Sequence, residues 1–477
     1  MTNLNKLSLK DVVNGVREKK FSCSELVKDT VSACKEEKDF FAYITLDEEG
    51  ALKKAEELDK KIVQNEEVGD LAGAVCAVKD IICVKGLPNT CASKMLENFV
   101  PPYDASVVSR LKKEDFVVMG KTNTDEFACG ASTETSYFGV SRNPYEKERV
   151  AGGSSGGSAL AVAKNLCTFA LGTDTGGSIR QPASFCNVYG LKPTYGLVSR
   201  SGVVSLASSW DTVGAFSKTP EDMAMILNKI AGKDRKDSTS LDNPEKDYTS
   251  FLNKGVKGLK IGLPKEYFSE GIEEETKALV MESVKKLEKA GAEVVQLSLP
   301  STKYAVSVYY ISMPAELSAN LERFDGIRFG HKPESEAENI VDYYFKARGE
   351  GFGTEIKRRI IIGTYVLSAG YMDAYYKKAQ KVRGVIIEDF KKAFSACDVI
   401  IGPGSPYPAF KIGEFIDDPL KMYTADALTI PVNAAGIPSM ACPSGFTKAG
   451  LPVGLQVIAP FLSEGRCLSV AEALRGL

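Results

Sequence analysis

Histidine is almost missing from this chain: there is one, His331, in 477 residues. A Ser-His-Asp hydrolase would have to use it, yet its neighbours F-G-H-K-P-E mark an exposed turn, so no catalytic role is expected for it. Eleven cysteines are scattered without a single C-x-x-C pair. An odd, unpaired set reads as reduced thiols of a cytoplasmic protein, and with one histidine it leaves no ligand set for a transition metal. No window approaches 18 uninterrupted apolar residues, so no membrane span is expected. The opening M-T-N-L-N-K-L-S-L-K lacks the apolar core of a signal peptide. The net charge is −2, which gives no basic footprint for direct nucleic-acid binding. A G-K-T at Gly120 imitates a phosphate loop, but the glycine required five positions earlier is Asp115, which excludes one.

What is abundant is glycine beside serine. Residues 152–158 read G-G-S-S-G-G-S, an apolar run follows from Ala159 to Leu171, and residues 172–178 read G-T-D-T-G-G-S. A run of Gly and Ser is ordinarily a flexible linker. Here it opens directly into an apolar segment with helical and then strand-like density, and a second Gly/Ser turn closes that segment. Two hydroxyls are thereby expected at neighbouring loop ends. Glycine lets a substrate approach the backbone closely, and successive N–H groups in such a turn make a concavity for an anion. An acyl-transfer enzyme needs that feature for its oxyanion. The backbone of Thr175, Gly176, Gly177 and Ser178 is the candidate.

A serine nucleophile needs a base, and without histidine a lysine can serve. Lys79 lies in L-A-G-A-V-C-A-V-K-D-I-I-C-V (71–84), which reads as a buried strand. Burial disfavours the charged amine, lowers its pKa and frees a lone pair to accept a proton. A strand-end lysine reaching solvent, or paired with Asp80, fits the same residues.

The rest of the chain reads as a large soluble α/β protein, with 44% apolar and 26% charged residues. Helices are expected over 8–37, with Ser8 and Ser22 as N-caps, and over 47–64; these N-terminal segments, about 1–65, should cover the sheet edge. A helix over 104–113 and a strand over 115–123 lead to a small-residue loop, Thr124–Gly139, lining the site. A helix follows over 220–231, then a charged, turn-rich surface excursion at 233–253. Residues 258–297 read as strand, helix, strand, a βαβ unit. The strings 315–330 and 352–368 read as amphipathic helices with basic faces, in which Lys357, Arg358 and Arg359 form a solvated run.

Lys79, then G-G-S-S-G-G-S, then D-T-G-G-S-I-R-Q-P in this order resembles the amidase signature family, with Ser154 75 positions after Lys79 and Ser178 a further 24 on. The resemblance runs from Leu7 to the C-terminus. It implies one amidase domain over 1–477, an α/β/α sandwich around a large mixed sheet. It implies Ser178 as nucleophile, Ser154 (after a cis peptide bond) as proton relay, and Lys79 as base. The strings around Arg358 and around Asp426 (M-Y-T-A-D-A-L-T-I-P-V-N) are similar to the glutamine-using branch that serves tRNA-dependent amidotransferases. There the matching arginine and aspartate hold the α-carboxylate and α-amino groups of glutamine, as bidentate and ionic pairing would predict. That branch hydrolyses glutamine for its ammonia. It works with a B subunit, which uses ATP and Mg to convert misacylated Glu-tRNA(Gln), and with a small C subunit; Asp-tRNA(Asn) is a second acceptor in the branch. The amidase chain itself then needs no cofactor or metal. One departure stands out: V-G-A-F (213–216) lacks a proline expected after its glycine, which puts a loop there in doubt. A free-standing amidase for small or aryl amides, and an inactive scaffold protein, remain as alternatives.

Overall fold

Alternation along the central strands decides the architecture. In β2 (Val75–Lys79), Cys76 and Val78 feed one apolar cluster while Val75 and Ala77 feed another, and in β4 (Phe169–Asp174) Phe169 and Leu171 oppose Ala170 in the same way. A strand whose successive side chains enter different cores has both faces covered. The computed structural model, which describes residues 3–477, accordingly has helices on both sides of one mixed sheet. The remaining strands are β1 (Tyr43–Leu46), β3 (Val117–Thr122), β5 (Tyr189–Lys192), β6 (Thr212–Ser217), β7 (Lys260–Pro264), β8 (Glu293–Leu297), β9 (Val399–Pro403), β10 (Ser439–Phe446) and β11 (Pro452–Ile458). Their order is β1-β3-β2-β4-β6-β5-β10-β11-β9-β7-β8. The runs β3-β2-β4 and β9-β7-β8 are parallel, and the other neighbours are antiparallel. This is the expected α/β/α arrangement around a large mixed sheet.

The N-terminal helices form at Leu9–Arg17, Cys23–Glu36 and Glu48–Val63. Ser8 accepts from Asp11 N–H, and Ser22 with Glu25 makes a reciprocal capping box. The helices pack on a face, and the part of this segment that takes the sheet edge is the strand β1, antiparallel to β3. Val12, Val16, Leu26, Val27 and Leu58 pack on that face beside Val75, Ala77, Val117 and Met119. The βαβ unit forms as β7, the helix Glu274–Lys289 and β8.

Two other expectations change, and a third gains detail. Residues 213–216 are not a loop but part of β6, where Ala215 lies opposite Leu171 of β4 and Leu191 of β5. A proline has no N–H to give a ladder flanked on both sides, so alanine suits the position. The stretch 233–253 runs over the surface and is fastened to the body: Ser199 Oγ donates to Asp234 at 2.6 Å, Asp237 accepts from Arg200 N–H at 2.8 Å, and Tyr248 is fully buried. The helix expected at 315–330 lies earlier, at Ala305–Leu321, with much of its surface in the core.

Candidate active site

The parallel strands β3, β2 and β4 end side by side, and their carboxyl ends carry polar groups, as open α/β sheets place their ligands. Lys79 closes β2 and is wholly buried. Its Nζ donates to Ser154 Oγ at 2.7 Å, Ser155 Oγ at 2.8 Å and Thr173 Oγ1 at 2.9 Å. All three partners are neutral hydroxyls, so no anion in contact compensates the cost of burying a charge. Burial pulls Lys79 down from the usual lysine range to about 7, while the more remote carboxylates Asp125, Asp174 and Asp211 pull it back up. Ser154 stands in the turn before the helix Gly156–Ala163, and the Gly153–Ser154 peptide bond is cis.

β4 runs into the turn Thr175–Ser178 and then into the short helix Arg180–Cys186. The two serine turns touch: Ser155 N–H donates to Ser178 C=O at 3.2 Å. The second turn is held from several sides. Thr175 Oγ1 donates to Asp211 Oδ1 at 2.8 Å, Thr429 Oγ1 donates to Gly176 C=O at 2.7 Å, and Ile179 N–H donates to Asp174 Oδ2 at 3.1 Å. Buried Arg180 grips Asp174 with Nε at 3.1 Å and Nη2 at 3.0 Å, and donates to Thr429 C=O at 3.1 Å. Gly177 has φ +154°, and a Cβ there would sit 2.2 Å from Thr429 Oγ1 and 2.9 Å from Asp426 Oδ1, so only glycine fits. Among the described residues, no protein acceptor meets the N–H groups of Gly176, Gly177 and Ser178. They are available to an oxyanion.

Beside this turn opens a cavity of about 440 Å³, whose walls include Tyr309, Tyr310, Arg358, Arg359, Tyr423 and Asp426. Tyr309 and Asp426 join it to the turn, since a Cβ at Gly176 would lie 2.9 Å from Tyr309 Cζ. Asp426 is buried and, among the described residues, its Oδ1 has no hydrogen-bond partner. Burial, with repulsion from Asp174 and Asp125, pushes its carboxyl well above the usual range, against the pull of Arg180. Arg358 and Arg359 both pair with Glu355 within one helix, Thr354–Leu367. Arg359 is buried and its guanidinium lies 4.6 Å from the Tyr310 ring centroid and 4.1 Å from that of Tyr423. Arg358 keeps 41% of its side chain exposed.

A family model described as Amidase matches residues 25–468. The chain belongs to the amidase family. Among its relatives, the A subunit of glutamyl-tRNA(Gln) amidotransferase from Persephonella marina is 52% identical over 98% of this chain and 96% of its own. The protein of the same name from Thermoanaerobacter pseudethanolicus is also 52% identical, over 98% of this chain and 95% of its own. The crystal structure of the Thermotoga maritima protein of that name superposes with a TM-score of 0.82 at 40% identity, covering 99% of this chain and 95% of that one.

In this amidase the fold gathers the residues that the sequence separates. Lys79 and Ser154 are in direct contact, Ser178 joins them through the backbone bond to Ser155, and Arg358 and Asp426 share one cavity. His331 stands elsewhere, with its ring Nε2 2.9 Å from Glu350 and no site hydroxyl among its partners. Lys121 of the G-K-T string pairs with Asp80 at 3.0 Å, both fully buried, so Asp80 is not the partner of Lys79. The run 357–359 is not uniformly solvated, because Arg359 turns inward onto two aromatic rings. Sequence reasoning missed Ser155, Thr173, Glu355, Arg359 and the two tyrosines. The spacing Glu355 to Arg358 and Arg359, three and four residues apart on a helix, carried a readable signal for that cluster. The tyrosines, from distant segments, carried none.

Proposed function

We propose that this amidase hydrolyses glutamine as the ammonia-generating component of a tRNA-dependent amidotransferase. Lys79 supports the reading most: a wholly buried amine, 2.7 Å from Ser154 Oγ and lowered to about 7, is poised to take a proton at neutral pH. Neutral Lys79 accepts a proton from Ser154 as Ser154 accepts one from Ser178, whose Oγ attacks the side-chain amide carbon of glutamine. The N–H groups of the Thr175–Ser178 turn take the oxyanion. The proton returns through Ser154 to the departing nitrogen, and ammonia leaves a γ-glutamyl ester on Ser178. Water, deprotonated by the same relay, cleaves the ester to glutamate and restores the serine.

The cavity supports glutamine over a simple amide. Asp426 offers an unpartnered carboxyl oxygen to the α-ammonium, whose charge would favour its ionised form against the burial that raises its pKa. Arg358 on another wall suits the α-carboxylate. A free-standing amidase for neutral amides has no use for such a pair. Relatives named as one component of an amidotransferase support a multi-subunit assembly. Within it a B subunit would use ATP and Mg to activate misacylated tRNA, and a C subunit would clamp the two. This chain would need no cofactor of its own, since nucleophile, relay and base are side chains. We place the complex in the cytoplasm; no helix of the described residues is long and apolar enough to cross a membrane. We take residues 1–477 as one amidase domain, because a single sheet runs through β1 to β11. The test is glutamate release by the full chain, with Arg358→Ala compared on glutamine and on a neutral amide. A selective loss on glutamine supports the reading, and equal losses on both substrates favour the free-standing amidase.

A further inference from the structure

Two adjacent carboxylates at the end of β3 face opposite ways and hold opposite halves of the site. Asp125 is wholly buried and gathers the following loop around itself. Its Oδ2 accepts from Ser132 N–H at 3.2 Å and Thr133 N–H at 2.9 Å, and its Oδ1 from Thr135 Oγ1 at 2.8 Å. Its own N–H donates to Ser154 C=O at 3.3 Å, so this loop is fastened to the turn bearing the candidate relay. Glu126 reaches the other way, across 227 positions of sequence. Its Oε1 and Oε2 lie 3.1 and 3.0 Å from Gly353 N–H, and its Oε1 accepts from Ser93 Oγ at 2.5 Å.

Gly353 is the residue before the helix Thr354–Leu367, which carries Glu355, Arg358 and Arg359. Its N–H is among the donors a helix start leaves without an internal partner, and a carboxylate there is favoured by both hydrogen bonding and the helix dipole. No side chain of the helix's own N-cap supplies that acceptor, because the N-cap is glycine. The approach is close: a Cβ on Gly353 would lie 2.4 Å from Glu126 Oε2. Glu126 is buried, and burial pushes its carboxyl up to about 7, against the pull of the Ser93 and Gly353 bonds and of Lys357. A buried carboxylate is kept at a cost. Here it fixes the start of one helix against the loop that touches Ser154.

We infer that Glu126 is a positioning residue which registers the Arg358-bearing helix against the Ser154–Ser178 turns, and thereby sets the affinity for the α-carboxylate of glutamine. It lines the same cavity, and its hydrogen-bond partners are Ser93 and Gly353 rather than Lys79, Ser154 or Ser178. This inference rests on the proposed glutamine clamp, so Arg358→Ala is run beside it as the control for that reading.

The experiment is steady-state glutamate release by the full-length chain for Glu126→Ala, Glu126→Gln and Gly353→Ala, with melting curves for each. Losing the anchor in Glu126→Ala is expected to raise KM for glutamine about tenfold while kcat stays within about threefold of the parent, the pattern of lost binding rather than lost chemistry. Glu126→Gln keeps an acceptor for Gly353 N–H and can donate to Ser93, so its KM should return to within about twofold of the parent. Gly353→Ala pushes the carboxylate away with Glu126 intact and should reproduce the higher KM; it carries the test should Glu126→Ala fail to fold. A fall in kcat with KM unchanged, a Gln variant as impaired as the Ala variant, or parental KM in both Ala variants overturns the inference. If Arg358→Ala leaves the glutamine KM unchanged, the clamp reading itself has failed and this inference falls with it.

Discussion

A lysine can serve as a base only when it has lost its proton, and Lys79 is placed to do so near neutrality. Below about 7 the amine holds its proton and cannot accept another; above it the relay is ready. Glutamine kcat/KM is therefore expected to climb with pH through about 7 and then level, and Lys79→Ala should lower it by about two to four orders of magnitude. A flat pH profile, with near-parental turnover in Lys79→Ala, contradicts that role. The same burial has a cost in stability. Between about 7 and the ordinary lysine range the unfolded chain holds a proton that the folded chain lacks, so this lysine's contribution rises with pH across that window and falls away as pH drops through about 7. Lys79→Met should accordingly melt higher than the parent at pH 6 while being inactive. At Asp426, Asn cannot hold an ammonium ion by charge, so Asp426→Asn should cost about 1.5–3 kcal/mol of glutamine binding, a ten- to hundredfold loss in kcat/KM. It was the family resemblance that gave Lys79, Ser154 and Ser178 their expected roles, while glycine-flanked hydroxyls and a charge inside an apolar run are visible in one dimension. Arg358 and Arg359 were not distinguishable that way. They adjoin in the chain, and only the packing of Tyr310 and Tyr423 makes one of them a buried wall and leaves the other half exposed.

At the scale of elements, local chemistry decided what the sequence could reveal. Ser22 and Glu25 spell a capping box, and the helix starts where they say it does. Ser22→Ala should cost about 0.5–2 kcal/mol in denaturant unfolding with unchanged glutamine turnover. The βαβ unit was equally plain, since its periodicity changes from strand to helix and back. β6 was not. Its centre, V-G-A-F, has the small residues of a turn, and only the flanking strands β4 and β5 make it a strand. β1 spans four half-buried residues without alternation, so only the β-forming Tyr43, Ile44 and Thr45 announce it locally. The two serine turns belong to both classes. Their glycines are readable, but the contact of the second turn with Thr429 and Asp426, some 250 positions away, is not. Gly177→Ala should abolish turnover even if the protein folds, because the Cβ strikes Thr429 Oγ1 and displaces the turn; a soluble Gly177→Ala protein with parental activity speaks against a close-fitting turn.

For the molecule as a whole, a single sheet brings together groups from the two halves of the chain. β2 and the turn after β4 carry the proposed base and nucleophile, while the loop 126–135 and segments after β8 wall the cavity. Free ammonia is of use only where an acceptor waits, so glutamate release should be slow for the isolated chain and faster with B and C subunits bound; equal rates would point to a free-standing enzyme. The most direct measurement asks where the acyl group goes. The chain is mixed with glutamine, quenched in acid within a turnover, digested and examined by mass spectrometry. The γ-glutamyl adduct is expected on the peptide carrying Ser178 and absent in Ser178→Ala. An adduct on another residue, or continued glutamate release by Ser178→Ala, contradicts the account.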